Sequence, residues 1–138
     1  IQALLDCMAR NGADYTLTFR GLCDLVGATP DKNQAIRNLF ANSSDFDDWE
    51  ARWRKRLAEE KSDPARRQEA MIRVNPAYIP RNHLVEEAIN SAIDGADFSN
   101  FEKLISVLSS PYEEQPECAK YAASPSPEQI VRATFCGT

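Results

Sequence analysis

The stretch "VNPAYIPRNHLVEEAI", Val74 to Ile89, decides how this chain is read. Pro76 and Pro80 each lock φ at about −65° and lack an amide donor, so no regular helix can run through them. Pro76 also pushes Asn75 out of the helical region. Directly afterwards Leu84, Val85, Ala88 and Ile89 recur at three- and four-residue steps, the period of a helix that buries one face. The stretch is an extended strap feeding a helix. Asn82 is predicted as its cap, Ala92 and Ile93 continue its apolar face, and Gly95 is its stop. The strap ends on Arg81, Asn82 and the single histidine of the chain, His83. A first-turn histidine meets the positive end of the helix dipole, which disfavours imidazolium and suits a neutral acceptor or proton shuttle. With no nucleophile beside it in sequence, the plainer reading is a local hydrogen-bonding residue. Arg81 offers a guanidinium fork for a carboxylate. On these residues alone the strap is structural.

Outward from the strap, the chain reads as helix after helix, an all-α fold. Residues 1–10 carry Ile1, Leu4, Leu5 and Met8 at helical spacing, and "GAD" breaks them from "YTLTFRGLCDLVG", whose face is Tyr15, Phe19, Leu22, Cys23 and Val26 with Gly27 as stop. A short third helix in "TPDKNQAIRNLF" turns Ala35, Ile36, Leu39 and Phe40 inward, with Pro30 in its first turn. The fourth and longest is predicted to be capped by Ser44 or Asp45 and carries Phe46, Trp49, Trp53 and Leu57 on its apolar face. The fifth starts with Asp63 as cap and Pro64 as first residue and ends near Val74. "SNFE", Ser99 to Glu102, reads as a capping box that opens a seventh helix with Phe101, Leu104, Ile105 and Leu108 facing inward. Beyond Pro111 the composition is rich in Pro, Glu and Ser, and irregular structure is expected. The organisation is thus a helical domain over 1–110 and an irregular tail over 111–138.

At 138 residues the chain fits one domain able to bury roughly two thirds of the surface its unfolded form exposes. Its 21 acidic against 16 basic side chains, a formal charge of −5, argue against a broad nucleic-acid footprint, which needs clustered Lys and Arg. No apolar run approaches the roughly 20 residues that cross a bilayer, and no signal peptide is visible. The sequence opens on Ile1 inside an apolar-periodic pattern with no cap, so it is expected to be a piece of something longer. Four cysteines, Cys7, Cys23, Cys118 and Cys136, show no C-x-x-C spacing, which excludes the usual zinc patterns and points to reduced, cytoplasmic thiols.

Two further stretches invite chemistry. Trp49 and Trp53 beside Arg52, Arg54, Lys55 and Arg56 could stack nucleotide bases. The alternative is an amphipathic helix burying two indoles, its charges balanced by Asp45, Asp47, Asp48, Glu50, Glu59 and Glu60. Glu86–Glu87 and Glu113–Glu114 are adjacent in sequence and diverge by about 100° on a helix, so neither is an acid/base pair. No Gly-rich phosphate loop, G-x-S-x-G elbow or H-E-x-x-H is present. Cys136, third from the end in "RATFCGT", is either an accessible redox-active thiol or an incidental tail cysteine.

"NPAYIPRNHLVEEAI", then "DFSNFEKLISVLSSPYEEQPE", then "FCGT", in that order, resemble the C-terminal region of the selenoprotein O family, the pseudokinase-like protein adenylyltransferases. "ADYTLTFRGL", Ala13 to Leu22, resembles a stretch further upstream in the same proteins. The motif "NP-x-Y-x-x-RNH", here Asn75, Pro76, Tyr78, Arg81, Asn82 and His83, and "PY-x-x-QP", here Pro111, Tyr112, Gln115 and Pro116, carry the likeness. It implies a longer protein with a kinase-like core that binds ATP inverted. With Mg or Mn, such a protein transfers AMP to Ser, Thr or Tyr of protein substrates. The family's nucleotide-clamping Lys and Arg, metal-binding Asp and Asn and Gly-rich loop have no counterpart in this sequence. The resemblance therefore implies no catalytic, cofactor-binding or metal residue here, and neither ATP nor metal bound by this piece alone. Its partners would be the missing kinase-like core and, for the whole protein, the substrates, with no nucleic acid and no membrane. Cys136 matches the place where some members carry selenocysteine, which implies redox control by a disulfide to the core. A bacterial member would be cytoplasmic, whereas eukaryotic relatives are mitochondrial. The other reading is a stand-alone helical module that docks a partner through the Trp49/Trp53 face or the strap.

Overall fold

In the computed structural model, residues 1–26 and 34–131 are described, and among them the only regular elements are helices. The chain forms two compact units, Ile1–Asn75 and Pro76–Thr138. The division falls inside the strap rather than at 110/111. Asn75 and Pro76 are where the helical hydrogen-bond ladder must stop, which makes this the natural seam.

The first unit holds α1 (Gln2–Asn11), α2 (Tyr15–Leu25), α3 (Gln34–Arg37), α4 (Ser43–Glu59) and α5 (Pro64–Ile72). Its core is Leu4, Cys7, Met8, Leu22, Leu25, Ile36, Phe40 and Phe46. The apolar periodicity is correct in outline, but Ile1 and Tyr15 are exposed, and Cys7 and Thr18 are buried in their stead. Pro30 and Gly27 lie outside the described residues. Gly12 ends α1 with φ 63, a left-handed conformation that an absent Cβ permits, and Asp14 caps α2 by accepting from the Leu17 amide at 2.8 Å. Asp63 caps α5 as expected, with Pro64 in its first turn.

The α4 cap differs from the expectation. Asn42, not Ser44 or Asp45, occupies it and accepts from the Ser44 amide at 3.3 Å. The reason is tertiary. Asn11, at the end of α1, accepts from the Asn42 amide at 2.7 Å and donates to the Asp45 carboxylate at 3.2 Å, which fixes the α4 entrance two to three residues earlier.

The second unit holds α6 (Asn82–Gly95), α7 (Ser99–Leu108), a 3-10 turn at Pro116–Cys118, α8 (Ala119–Ala122) and a second 3-10 turn at Pro127–Gln129. Its core is Ala77, Tyr78, Leu84, Leu104, Val107, Cys118 and Tyr121. Residues 111–131 are thus not wholly irregular: Cys118 and Tyr121 anchor them in this core. Two cap assignments are corrected. Arg81 occupies the N-cap position of α6 with no side-chain cap, and Asn82 is its first helical residue. The predicted box at Ser99–Glu102 does not form, because Asp97 accepts from the Ser99 amide at 2.9 Å and Ser99 is already helical. At the far end of α6 the left-handed residue is Ala96, φ 50, one position beyond Gly95.

Candidate functional site

The strap is built from two sets of backbone locks, one in each unit. In the first unit Asn75 closes α5. Its amide and its side-chain Nδ2 both donate to the Met71 carbonyl, at 3.0 and 2.8 Å. Its own carbonyl accepts from the Arg20 guanidinium at 3.0 Å. Arg20, on α2, also reaches the Ile72 carbonyl at 3.5 Å, so one cation gathers acceptors left over where the helix ends. Cys23 lies beneath, fully buried, and receives a weak contact from Asn75 Nδ2 at 3.8 Å. Burial pushes its thiol pKa up, against the smaller opposing pull of Arg20 and Asn75, so Cys23 is an inert core thiol.

In the second unit the two unusual motifs meet. The amides of Ala77 and Tyr78 both donate to the Pro111 carbonyl, at 2.8 and 3.2 Å. The Tyr78 hydroxyl donates to the Gln115 carbonyl at 2.8 Å and accepts from the Gln115 amide at 3.1 Å. The Gln115 side chain donates onward to the Val107 and Ser110 carbonyls at 3.0 and 3.1 Å, satisfying the end of α7. Tyr78 is only 3% exposed, so its hydroxyl needs these partners. "NP-x-Y" and "PY-x-x-QP" are two halves of one clasp.

Arg81 is buried, and its carbonyl accepts from the Leu84 and Val85 amides at 3.0 Å each, opening α6. His83 follows in the first turn, partly buried. Its pKa is lowered, first by burial and then by the neighbouring Arg81 charge, with Glu87 opposing. It borders a polar hollow of about 460 Å³ with Glu86, Glu87, Asn90, Ser91, Asp94 and Gln129. A neutral imidazole here can accept or donate one hydrogen bond. Among the described residues no group of three or more His, Cys, Asp or Glu could hold a metal ion. Cys136 lies outside the described residues. Cys7, Cys23 and Cys118 are buried thiols.

The tryptophan face follows the amphipathic reading. Trp49 and Trp53 stack on each other with centroids 5.5 Å apart, and Trp49 continues through Phe46 to Phe40 at 5.9 and 4.7 Å. Both indoles pack against the first unit's core. Arg54 pairs with the buried Glu50 at 2.6 Å and donates to the Leu25 carbonyl at 3.2 Å, while Arg56 pairs with Glu59 at 3.3 Å. These charges serve the fold.

The roles of Arg20 and Gln115 were not assigned from sequence. Gln115 stands in an unusual motif, but its partner Tyr78 is 37 residues away. No described helix is long and apolar enough to cross a membrane.

Comparison with known proteins gives a consistent result. Residues 1–109 match the family described as "Protein adenylyltransferase SelO". The chain is 50% identical over 137 residues to a "Protein nucleotidyltransferase YdiU" of Bradyrhizobium sp. (strain ORS 278), covering 99% of this chain and 28% of the relative. It is 51% identical over 138 residues to the protein of the same name from Bradyrhizobium diazoefficiens, covering 100% and 28%, and 50% identical over 135 residues to that of Rhodopseudomonas palustris (strain BisB18), covering 98% and 27%. The chain thus spans little more than a quarter of the length of these relatives.

Proposed function

The chain belongs to the protein adenylyltransferase SelO family, and from that premise we propose that it is the helical scaffold of a longer enzyme that transfers AMP from ATP to Ser, Thr or Tyr hydroxyls of protein substrates. The observation that carries the reading is the match over residues 1–109, together with about 50% identity to nucleotidyltransferases that the chain covers over only 28% of their length. In this reading a kinase-like core outside the 138 residues supplies the ATP and Mg or Mn sites. The present residues supply a rigid buttress, and Cys136 supplies a redox-responsive thiol. A bacterial protein of this kind works in the cytoplasm.

The clasp geometry supports the scaffold part. The polar atoms of Asn75, Tyr78 and Gln115 are spent on backbone groups at helix ends. Such groups position chain segments and have little capacity left for a triphosphate.

The test uses labelled ATP, a divalent metal and a protein acceptor. The full-length Bradyrhizobium sp. relative should label the acceptor, and the 138-residue chain alone should not. Transfer by the chain alone overturns the division of labour, and no transfer by the full-length relative overturns the activity.

A further inference from the structure

The second unit carries an apolar groove of about 400 Å³ between α6 and α7, and no described residue fills it. Val85, Ile89 and Ala92 form one wall, and Phe101, Leu104 and Ile105 form the other. Ile89 and Ile105 are 51% and 53% exposed, on opposite walls, and Phe101 is 49% exposed. A continuous apolar surface of this kind marks a binding face rather than scattered surface hydrophobes.

The charges around it are one-sided. Of the charged side chains in segment 82–108, Glu87 and Asp94 lie on the far face of α6, against the polar hollow, and Lys103 on the far side of α7, which leaves Glu86, Asp97 and Glu102 beside the groove. Position matters more than number. Glu86 lies three residues before Ile89 and Glu102 three residues before Ile105, so each exposed isoleucine has a carboxylate on the adjacent turn. Lys103 lies about 200° round the helix from Phe101, on the far side of the apolar stripe. Asp97 is held ionised by its hydrogen bond from Ser99, which lowers its pKa.

We propose that this groove docks an amphipathic helix from sequence outside residues 1–138 whose apolar stripe is flanked by Lys or Arg. Two adjacent helix walls with an open apolar groove along them admit a third helix, and its i, i+3, i+4, i+7 side chains fill the space. The acidic rims select the flanking charges. They also disfavour a second copy, which would bring glutamates against glutamates, and an anionic lipid surface.

The experiment uses the 138-residue chain and two designed helical peptides with the same apolar face, one flanked by Lys and Arg, the other by Glu. The basic peptide is expected to perturb the Ile89 and Ile105 methyl resonances saturably, to bind about tenfold tighter than the acidic peptide, and to weaken as salt rises. I89Q together with I105Q replaces two exposed side chains. This variant should keep its helical circular dichroism while losing about tenfold or more in affinity. The proposal is overturned if neither peptide binds, if both bind equally, or if the double variant binds as well as the parent. It is also overturned if sedimentation shows self-association that the double variant abolishes, or if the chain partitions onto anionic vesicles through these isoleucines.

Discussion

Replacing Tyr78 by Phe removes one oxygen and keeps the ring, so it isolates the clasp from the packing around it. The hydroxyl serves two partners, the Gln115 carbonyl at 2.8 Å and the Gln115 amide at 3.1 Å. Each hydrogen bond contributes a net of about 1 kcal/mol, and leaving a buried group unmet costs about 1–3 kcal/mol. Gln115 is partly buried, so water recovers some of that loss, and the expected cost is about 2 kcal/mol, or roughly thirtyfold in the unfolding constant. Urea denaturation followed by circular dichroism measures it. Hydrogen exchange should show the change concentrated at Ala77, Tyr78 and the end of α7, whose Val107 and Ser110 carbonyls Gln115 satisfies. Tyr15→Phe is the control. That ring is 62% exposed, and its loss of a hydroxyl should stay within about 0.5 kcal/mol. If Tyr78→Phe and Tyr15→Phe cost the same, the clasp is not what holds the strap.

Gly21 faces Ile36, and a Cβ there would stand 3.2 Å from Ile36 Cδ1 and 3.3 Å from its Cβ and Cγ1. Gly21→Ala should therefore cost about 1 kcal/mol despite its better helix propensity, and less in an Ile36→Val background, as a double-mutant cycle would show. The end of α6 yields a paired test. Ala96 holds the left-handed conformation and Gly95 is helical, so Ala96→Gly should stabilise by about 0.5–1 kcal/mol and Gly95→Ala should not destabilise. The opposite pattern in thermal melts would put the left-handed residue at Gly95. His83 has a lowered pKa, so in the window below its ordinary 6.5 the unfolded chain binds more protons than the folded one. Its contribution to stability is then complete above 6.5 and is lost as the pH falls toward the folded value. An NMR titration should find the imidazole midpoint below 6.5, and His83→Gln should flatten the stability profile in that window. A midpoint at or above 6.5 contradicts the geometry.

Much of the architecture was legible because helical periodicity is a long-range signal carried by many side chains at once. The helical spacing marks Leu4, Leu22, Ile36, Phe46, Leu84 and Leu104 as core-facing, and all six are buried. Asp63 followed by Pro64 was readable because the cap and the fixed φ act within one turn. What escaped depended on distant groups. Asn42 outcompeted Ser44 and Asp45 as a cap because Asn11, 31 residues earlier, holds it. Asp97 displaced the expected Ser99 box because its carboxylate takes the Ser99 amide that the Glu102 side chain would serve in such a box. Ile89, Phe101 and Ile105 have the spacing of core residues, yet spacing cannot say whether the element that covers them belongs to the same sequence. The strap motifs were visible as odd, but their union through Tyr78 and Gln115 is a tertiary fact.

The central claim is that these helices are a buttress without a site for a triphosphate. Titrating ATP with magnesium into the isotopically labelled 138-residue chain tests it most directly. The claim predicts no saturable shift of any backbone or side-chain resonance. Saturable, stoichiometric perturbation centred on Arg81, His83 and the hollow beside them would contradict it.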